Sequence, residues 1–415
     1  MKLKALSTAM ILATVPMTGA LAAGMDRSGQ SIAAFLQPGN YFEAGVSVLD
    51  PSVSGKTTAM TTLTGQQIPS HATGDMASDY YFPSAALKLQ VTDQFSFGVI
   101  YDRPFGAEAE YTAQSAAFNP TGNDGTRAEV KTENLTFLFG FQPTQNWNIY
   151  AGPVYQTAKG NVALRGAAYS AFAGYDATMK EDSEIGWLAG LAFQIPEIAL
   201  KASLTYRSEI DHELSTTESH SGVPLNVALG LGLAQNPAAI DPFNPGKTAV
   251  TTPQSVNLDF QTGIMADTVA FANVRWVDWS NFSIRPSEFG QAIDLASTLM
   301  NQPQLKGGNL VEYNEEQWSA TVGVGRKLND KWAGNVSVGW DSGVDNPVTT
   351  LGPTEGYWNV GLGVQYSPAP NYFIAGGVKY FWLGDATALT VANPNVGEFT
   401  DNHAIGYGLK MGYRF

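Results

Sequence analysis

Two sets of residues in this 415-residue chain could carry chemistry. The first is a pair of acid–imidazole neighbours, Asp211-His212 and Asp401-Asn402-His403, which would act as general bases for a hydrolase if they faced each other. Adjacent Asp and His are common by chance, and His71 and His220 also fall in loops, so solvated histidines are the plainer reading. There is no Cys and no metal-ligand spacing, and Gly230-x-Gly232 and Gly323-x-Gly325 sit at no strand-to-helix turn. The expectation is a protein with no enzymatic centre, metal or cofactor. The second set is basic. Lys88, Arg207, Arg275 and Lys379, together with Lys201, Lys410 and Arg414, share one parity of strand-like segments with only Glu43, Asp102 and Asp259. Such a face could bind a carboxylate by charge-assisted hydrogen bonds. The same cations could equally pair with nearby acids and backbone carbonyls to fill a narrow interior.

The elements that must position these residues are strands. At the C-terminus, Ile405, Tyr407, Leu409, Met411, Tyr413 and Phe415 alternate with Ala404, Gly406, Gly408, Lys410, Gly412 and Arg414, a strict period of two. The pattern recurs upstream, with Trp358, Val360, Leu362, Val364 and Tyr366 opposing Asn359, Gly361, Gly363 and Gln365. About fourteen such segments begin near Tyr41, Phe82, Phe95, Ala128, Trp147, Ile185, Ile198, Val256, Val269, Trp318, Trp332, Trp358, Tyr372 and His403. Short turns such as Thr92-Asp93 and Asn329-Asp330 alternate with long connections over about 51–80, 105–126, 163–182, 211–252, 282–312, 343–356 and 383–401. Aromatics close the apolar face at the ends of several segments. Together these features predict an all-β fold, a transmembrane antiparallel barrel of about 14 strands over residues 41–415. A secreted soluble β-protein is the alternative, but it would need neither rim aromatics nor one-sided long loops.

Composition and the N-terminus agree. Lys2 and Lys4, an apolar run from Ala5 to Met17, and Ala20-Leu21-Ala22 form the three parts of a secretory signal peptide over residues 1–22. The net charge of −14 argues against a nucleic-acid partner. A mean hydropathy of −0.10 argues against a bundle of membrane helices. Residues 23–40 contain Phe35-Leu36 and then Pro38-Gly39, which suits a short helix folding into the barrel as a hatch, with a loose tail as the alternative. Two long loops are unusually apolar: Leu164, Tyr169 and Phe172 in one, and Leu225, Leu229 and Leu231 in the other. Paired at the outer rim, they could capture a hydrophobic molecule or simply pack as a lid.

Asp102-Arg103-Pro104-Phe105-Gly106, Trp276-Val277-Asp278-Trp279-Ser280, the stretch 329–348 and the terminal strand resemble the outer-membrane long-chain fatty acid transporter (FadL) family, which includes aromatic hydrocarbon importers. The resemblance implies a monomeric, plugged barrel in the bacterial outer membrane, in contact with its lipid and lipopolysaccharide. It also implies passive uptake of hydrophobic small molecules, with sideways release at a kink in the third strand around Pro104, Phe105 and Gly106. The apolar tail would drive partitioning at about 0.8 kcal/mol per buried methylene. The family's Asn-Pro-Ala before the first strand is replaced here by Gln37-Pro38-Gly39-Asn40, while Asn236-Pro237-Ala238 falls in a loop. A general porin is the further alternative, and it would require an open lumen of mixed charge.

Overall fold

A β-strand exposes its backbone polar groups along both edges, and lipid offers them no partner, so strands can span a bilayer only as a closed ring. The computed structural model describes residues 25–62, 64–232, 246–299, 301–344 and 346–415, with the backbone alone for 229–232. The expected leader, residues 1–22, and Asn236-Pro237-Ala238 lie outside the described residues.

Fourteen antiparallel strands form the ring. They are β1 (Tyr41–Ser52), β2 (Tyr80–Gln90), β3 in two pieces (Phe95–Asp102 and Gly106–Glu110), β4 (Arg127–Phe141) and β5 (Trp147–Ala163). Next come β6 (Tyr175–Ile195), β7 (Leu200–Arg207, continued by Ile210–His220), β8 (Lys247–Thr252, then Ser255–Met265) and β9 (Thr268–Val277). The ring is completed by β10 (Gln317–Lys327), β11 (Trp332–Asp341), β12 (Tyr357–Ala369), β13 (Tyr372–Leu383) and β14 (His403–Arg414). Closure comes from β14 pairing with β1, in register from Tyr41↔Arg414 to Ser52↔His403.

The period of two becomes an outside and an inside. Val336, Leu362, Val378 and Leu409 are exposed on the outer wall, whereas Ser337, Lys379 and Lys410 are buried within. Trp276 opposes Trp318, Trp340 opposes Trp358, and Trp358 opposes Trp382, so indole rings gather along the long-loop rim. Phe95 and Phe141, Trp147 and Phe193, and Trp332 and Tyr366 pair at the short-turn rim. Two aromatic girdles around an apolar band fit both membrane interfaces.

Several strands outrun the expected segments. β6 begins at Tyr175, and β7 and β8 extend through Ile210–His220 and Lys247–Thr252, so the expected loops 163–182 and 211–252 are shorter than their sequence suggested. Above the girdle the polarity of the wall inverts. Lys159, Glu181, Glu213 and Lys247 face out as ion pairs, while Ala158, Met179 and Leu214 are buried. Water, not lipid, surrounds these extensions, so a strand there buries its apolar side. A lid packs on top, containing a five-stranded sheet (Val348–Thr349, Ala386–Thr390, Asn393–Phe399, Ser54–Thr57 and Ala72–Asp75) and helices α1 (Leu225–Gly232) and α2 (Ser287–Leu299). Buried Glu218 accepts the Glu288 and Phe289 amide N–H groups at 2.9 and 2.7 Å, tying the α2 N-terminus to the β7 extension.

Leu362 stands midway between the girdle residues Trp358 and Tyr366 and faces outward. Leu362→Arg should lower stability in lipid vesicles by roughly 2–4 kcal/mol, read from denaturant unfolding. Unchanged stability would show that this face does not meet lipid.

Candidate functional site

The inner wall carries the polar residues the alternation assigned to it, and residues 25–40 lie among them. No helix forms in this segment. Turns through residues 33–36, closed by Phe35 N–H to the Ile32 carbonyl at 3.1 Å, replace the expected helix. The run before Pro38-Gly39 is too short to pay for helix nucleation. Phe35 is buried against Tyr150, with ring centroids 5.8 Å apart, and Leu36 packs in the same cluster. Gly98 and Gly140 make room for it, since a Cβ on either would come within 2.8 Å of the Phe35 ring. Pro38 and Gly39 are exposed where the segment turns into β1, with Gly39 at φ 66°.

Most of the sequence-singled cations hold this segment. Lys88 donates to the Gln37 carbonyl at 2.9 Å, and Lys201 to the Leu36 carbonyl at 2.9 Å. Arg207 donates through Nη2 to the Gln30 carbonyl. Arg275 reaches Asp26 through Nε, Asn257 through Nη1 and Gln30 Oε1 through Nη2 at 2.9 Å. The Arg275–Asp26 pair is almost wholly buried. Asn257 Nδ2 donates to the Gly29 carbonyl at 2.8 Å, and Ser28 Oγ donates to Asp102 at 2.6 Å. The carboxylate expected at Arg275 is thus one the chain itself supplies. Around Arg207 and Arg275 stand three acids, Asp26, Asp102 and Asp259. Arg207 Nη1 meets no protein acceptor, and Lys379 is buried on the far wall in register with Gly361.

The third strand is broken where Pro104 stands. Asp102 opposes Asn134 and Gly106 opposes Lys131, so three residues on β3 face two on β4, a bulge. Proline lacks an N–H to give the ladder. Thr132 compensates, its hydroxyl accepting Phe105 N–H at 2.9 Å and donating to the Phe105 carbonyl at 2.8 Å. The N-terminal segment supplies the rest: Arg27 N–H donates to the Pro104 carbonyl at 2.7 Å, and Gly106 N–H to the Met25 carbonyl at 2.8 Å. On the other side, β2 meets β3 only from Ala85↔Tyr101 downward, leaving Tyr80–Ser84 with no ladder partner on β3.

Inside the break lies an apolar cavity of about 20 Å3, with Met25, Phe105, Met179, Leu214, Trp279 and Phe282 among its walls. Trp279 is fully buried, held by Nε1–H to Gln317 Oε1 at 2.7 Å and by edge contacts to Phe105 and Phe282. From here one apolar cluster runs up into the lid through Tyr111, Phe118, Leu164, Tyr169 and Phe289. Leu164, Tyr169 and Leu225 are therefore buried, and Phe172 packs on Phe289 at 5.1 Å, so these residues line the underside of the lid instead of an open landing groove. Loop residues this apolar exclude water by covering one another. Leu229 and Leu231 fall on α1, but their side chains lie outside the described residues. A larger groove of about 440 Å3 opens at the short-turn rim among Lys327, Trp332, Gln365, Pro368 and Arg414, away from this apolar column.

The acid–imidazole pairs do not converge. Asp211 faces out and accepts from Thr251, whereas His212 faces in between Asp182 (3.2 Å) and Gln156 (3.0 Å). His403 stacks on Tyr380 at 5.7 Å. Neighbours on one strand point to opposite faces, so Asp211 could never orient His212.

The outer membrane protein transport family (OMPP1/FadL/TodX) matches residues 28–415. A FadL homologue from Pseudomonas aeruginosa shares the fold with a TM-score of 0.71 at 16% identity, over 97% of this chain and 98% of that one. The toluene transporter TbuX of Ralstonia pickettii gives 0.58 at 14% identity, over 99% of each chain. The toluene transporter TodX of Pseudomonas putida gives 0.60 at 11%, over 96% of this chain and 94% of that one. No curated protein matches the sequence.

Removing one partner of a buried ion pair leaves the other charge uncompensated, at a cost of about 3–5 kcal/mol. Arg275→Gln should therefore release residues 25–30, read as faster amide hydrogen exchange there while the strands stay protected. Adding Asp26→Asn to the same chain should restore part of the protection. If Arg275→Gln leaves exchange unchanged, the pair does not anchor the segment.

Proposed function

We propose, from the premise that the chain belongs to the outer membrane transport family OMPP1/FadL/TodX, that it is an outer-membrane channel for passive uptake of hydrophobic small molecules, and of neutral compounds ahead of fatty acids. The observation that carries this reading is the single apolar cluster running from the lid to the broken strand. A ligand following it would exchange water for apolar side chains all the way, gaining about 25 cal/mol per Å2 of apolar surface buried.

The preference for neutral ligands rests on charge. Lys88, Lys201 and Arg275 bind the N-terminal segment, and the acids around Arg207 and Arg275 would oppose an incoming carboxylate. The cavity at the break has no cationic wall beyond Lys159, whose ammonium is engaged by Glu181. Toluene is what TbuX and TodX are described as transporting, and an apolar aromatic ligand suits the Trp279, Phe105 and Phe282 rings.

In this reading residues 23–40 are the hatch, which closes the lumen to hydrophilic solutes while the lid faces the outside. Leu164, Tyr169, Phe172 and Leu225 become a capture surface only when the lid loosens. Release is sideways, through the wall between β2 and β3 at Pro104, Phe105 and Gly106, into the lipid outside. The β1–β14 closure supports a monomer, since the first and last strands of the ring already pair with each other. Charged outer faces above the girdle, such as Lys159 with Glu181 and Lys247 with Glu213, suit the headgroup layer of lipopolysaccharide.

Three measurements test the proposal. Cells whose only such channel is this protein should take up naphthalene faster than oleate, and proteoliposomes containing it should not swell in sugar solutions. Leu214→Lys, which puts an ammonium into the apolar cavity, should lower naphthalene uptake by about tenfold or more. Sugar swelling at porin rates would falsify the reading.

A further inference from the structure

The unpaired stretch of β2 is not left open; two side chains stitch it. On the lumen side the Tyr80 hydroxyl takes over the role of a missing ladder residue. It accepts the Glu108 N–H at 2.7 Å and donates to the Glu108 carbonyl at 2.5 Å, satisfying both backbone groups of one β3 residue across the gap. The Tyr80 ring is held in place by Phe82, stacked at 6.0 Å, and by the Arg27 guanidinium 5.3 Å from its centroid. On the outer side Arg103, at the bulge itself, gives Nη1 to the Tyr81 carbonyl at 3.5 Å. Its shortest bonds go the opposite way, with Nε and Nη2 on Glu133 of β4 at 3.0 and 2.6 Å. Above the gap, main-chain contact resumes at the Ala77↔Ala109 bridge and the Glu110 N–H to Met76 carbonyl bond of 2.9 Å.

We propose that Tyr80 and Arg103 are the gate of this wall: their bonds hold β2 against β3 in a closed state, and passage of a hydrophobic ligand requires both to part. The inference rests on the sideways-release reading above. The asymmetry of Arg103 tells which side moves. Two short bonds to a carboxylate fasten it to β4, and one long bond to an uncharged carbonyl reaches β2. On opening, Arg103 stays with β3 and β4 while the upper half of β2 leaves. Tyr80 leaves with β2 and exposes the Glu108 amide and carbonyl at the moment a ligand occupies the gap. Parting these bonds leaves backbone groups without their protein partners, so the closed state is favoured and the gate recloses once the ligand has gone. The size of the cavity behind it, about 20 Å3, fits a closed state, since a single aromatic ring needs several times that space.

The chain has no Cys, so engineered thiols report without background. Ala77→Cys with Ala109→Cys would tie β2 to β3 just above the gate, at positions already bridged. Naphthalene uptake by cells is the readout, and heat-modifiable gel mobility first establishes that each variant forms a barrel. Tyr80→Phe removes both Glu108 bonds and should speed uptake by about fivefold. Arg103→Ala should speed it less, because only one weak bond crosses the gap. Oxidising the double-cysteine chain should slow uptake by about tenfold or more, with recovery in reductant. Ser84→Trp, which fills the gap itself, tests the underlying reading separately. If Tyr80→Phe and the oxidised chain both match the unmodified protein while Ser84→Trp is blocked, the gate is wrong and sideways release stands. If Ser84→Trp also transports at full rate, release is not through this wall and the gate falls with it.

Discussion

The wall of this molecule answers to one constraint: in lipid a backbone N–H or carbonyl must find its partner within the protein. Fourteen strands meet it by closing β14 onto β1 over twelve residue pairs. One place where the ladder fails, between β2 and β3, is also where unrelated parts of the chain converge to mend it. Thr132 from β4, Met25 and Arg27 from the N-terminal segment, and Tyr80 from β2 each satisfy a group the bulge sets loose. A proline placed inside a membrane strand makes such repairs obligatory, because its missing N–H and its bulge strip the ladder over several residues.

The same constraint explains why the N-terminal segment is held by cations. Turns without helical structure leave carbonyls unpaired, and a lumen lined by Lys88, Lys201 and Arg207 offers long, flexible donors for those of Gln37, Leu36 and Gln30. Asp26 differs, because a buried carboxylate is tolerable only beside a cation with further partners. Arg275 meets that need with Asn257 and Gln30 on its remaining nitrogens. Holding the segment and repairing the strand are therefore one structure. Arg27, next to Asp26, is the residue that bonds Pro104 and stands over the Tyr80 ring.

The barrel was legible in the sequence because its signal is local. Alternation in β11 to β14 assigns each residue a side without knowledge of any partner, and the structure places Trp332, Leu362, Ile374 and Met411 outside accordingly. The break at Pro104 was legible for the same reason. What escaped depends on distant pairings or on a change of surroundings. Asp26 and Arg275 are 249 positions apart, and nothing local marks Asp26 as a lumen residue. Tyr80 lies just outside the segment expected to begin near Phe82, so its part in the break had no local signature either. The extensions of β6, β7 and β8 alternate as regularly as the membrane strands but with opposite polarity, so a search for apolar outer faces reads them as loops. The apolar loops were visible as such, yet hydrophobicity alone does not distinguish a surface that awaits a ligand from one already covered by Phe289 and Thr350.

A lid and a stitched wall place two closures in series along one apolar column, and this arrangement makes physical sense for a channel without an energy source. A permanently open apolar path from outside to membrane would fill with water wherever polar backbone was exposed, weakening the ladder beside it. Covering the column at both ends keeps it dry when no ligand is present. A hydrophobic molecule can supply at each end the contacts that the closing residues give up, because it replaces apolar surface with apolar surface. A hydrated solute cannot, since it would have to shed its water against Phe105, Trp279 and Phe282. Selectivity then arises from the cost of opening: only a ligand whose burial offsets that cost passes, and neither a size filter nor a charged constriction is needed.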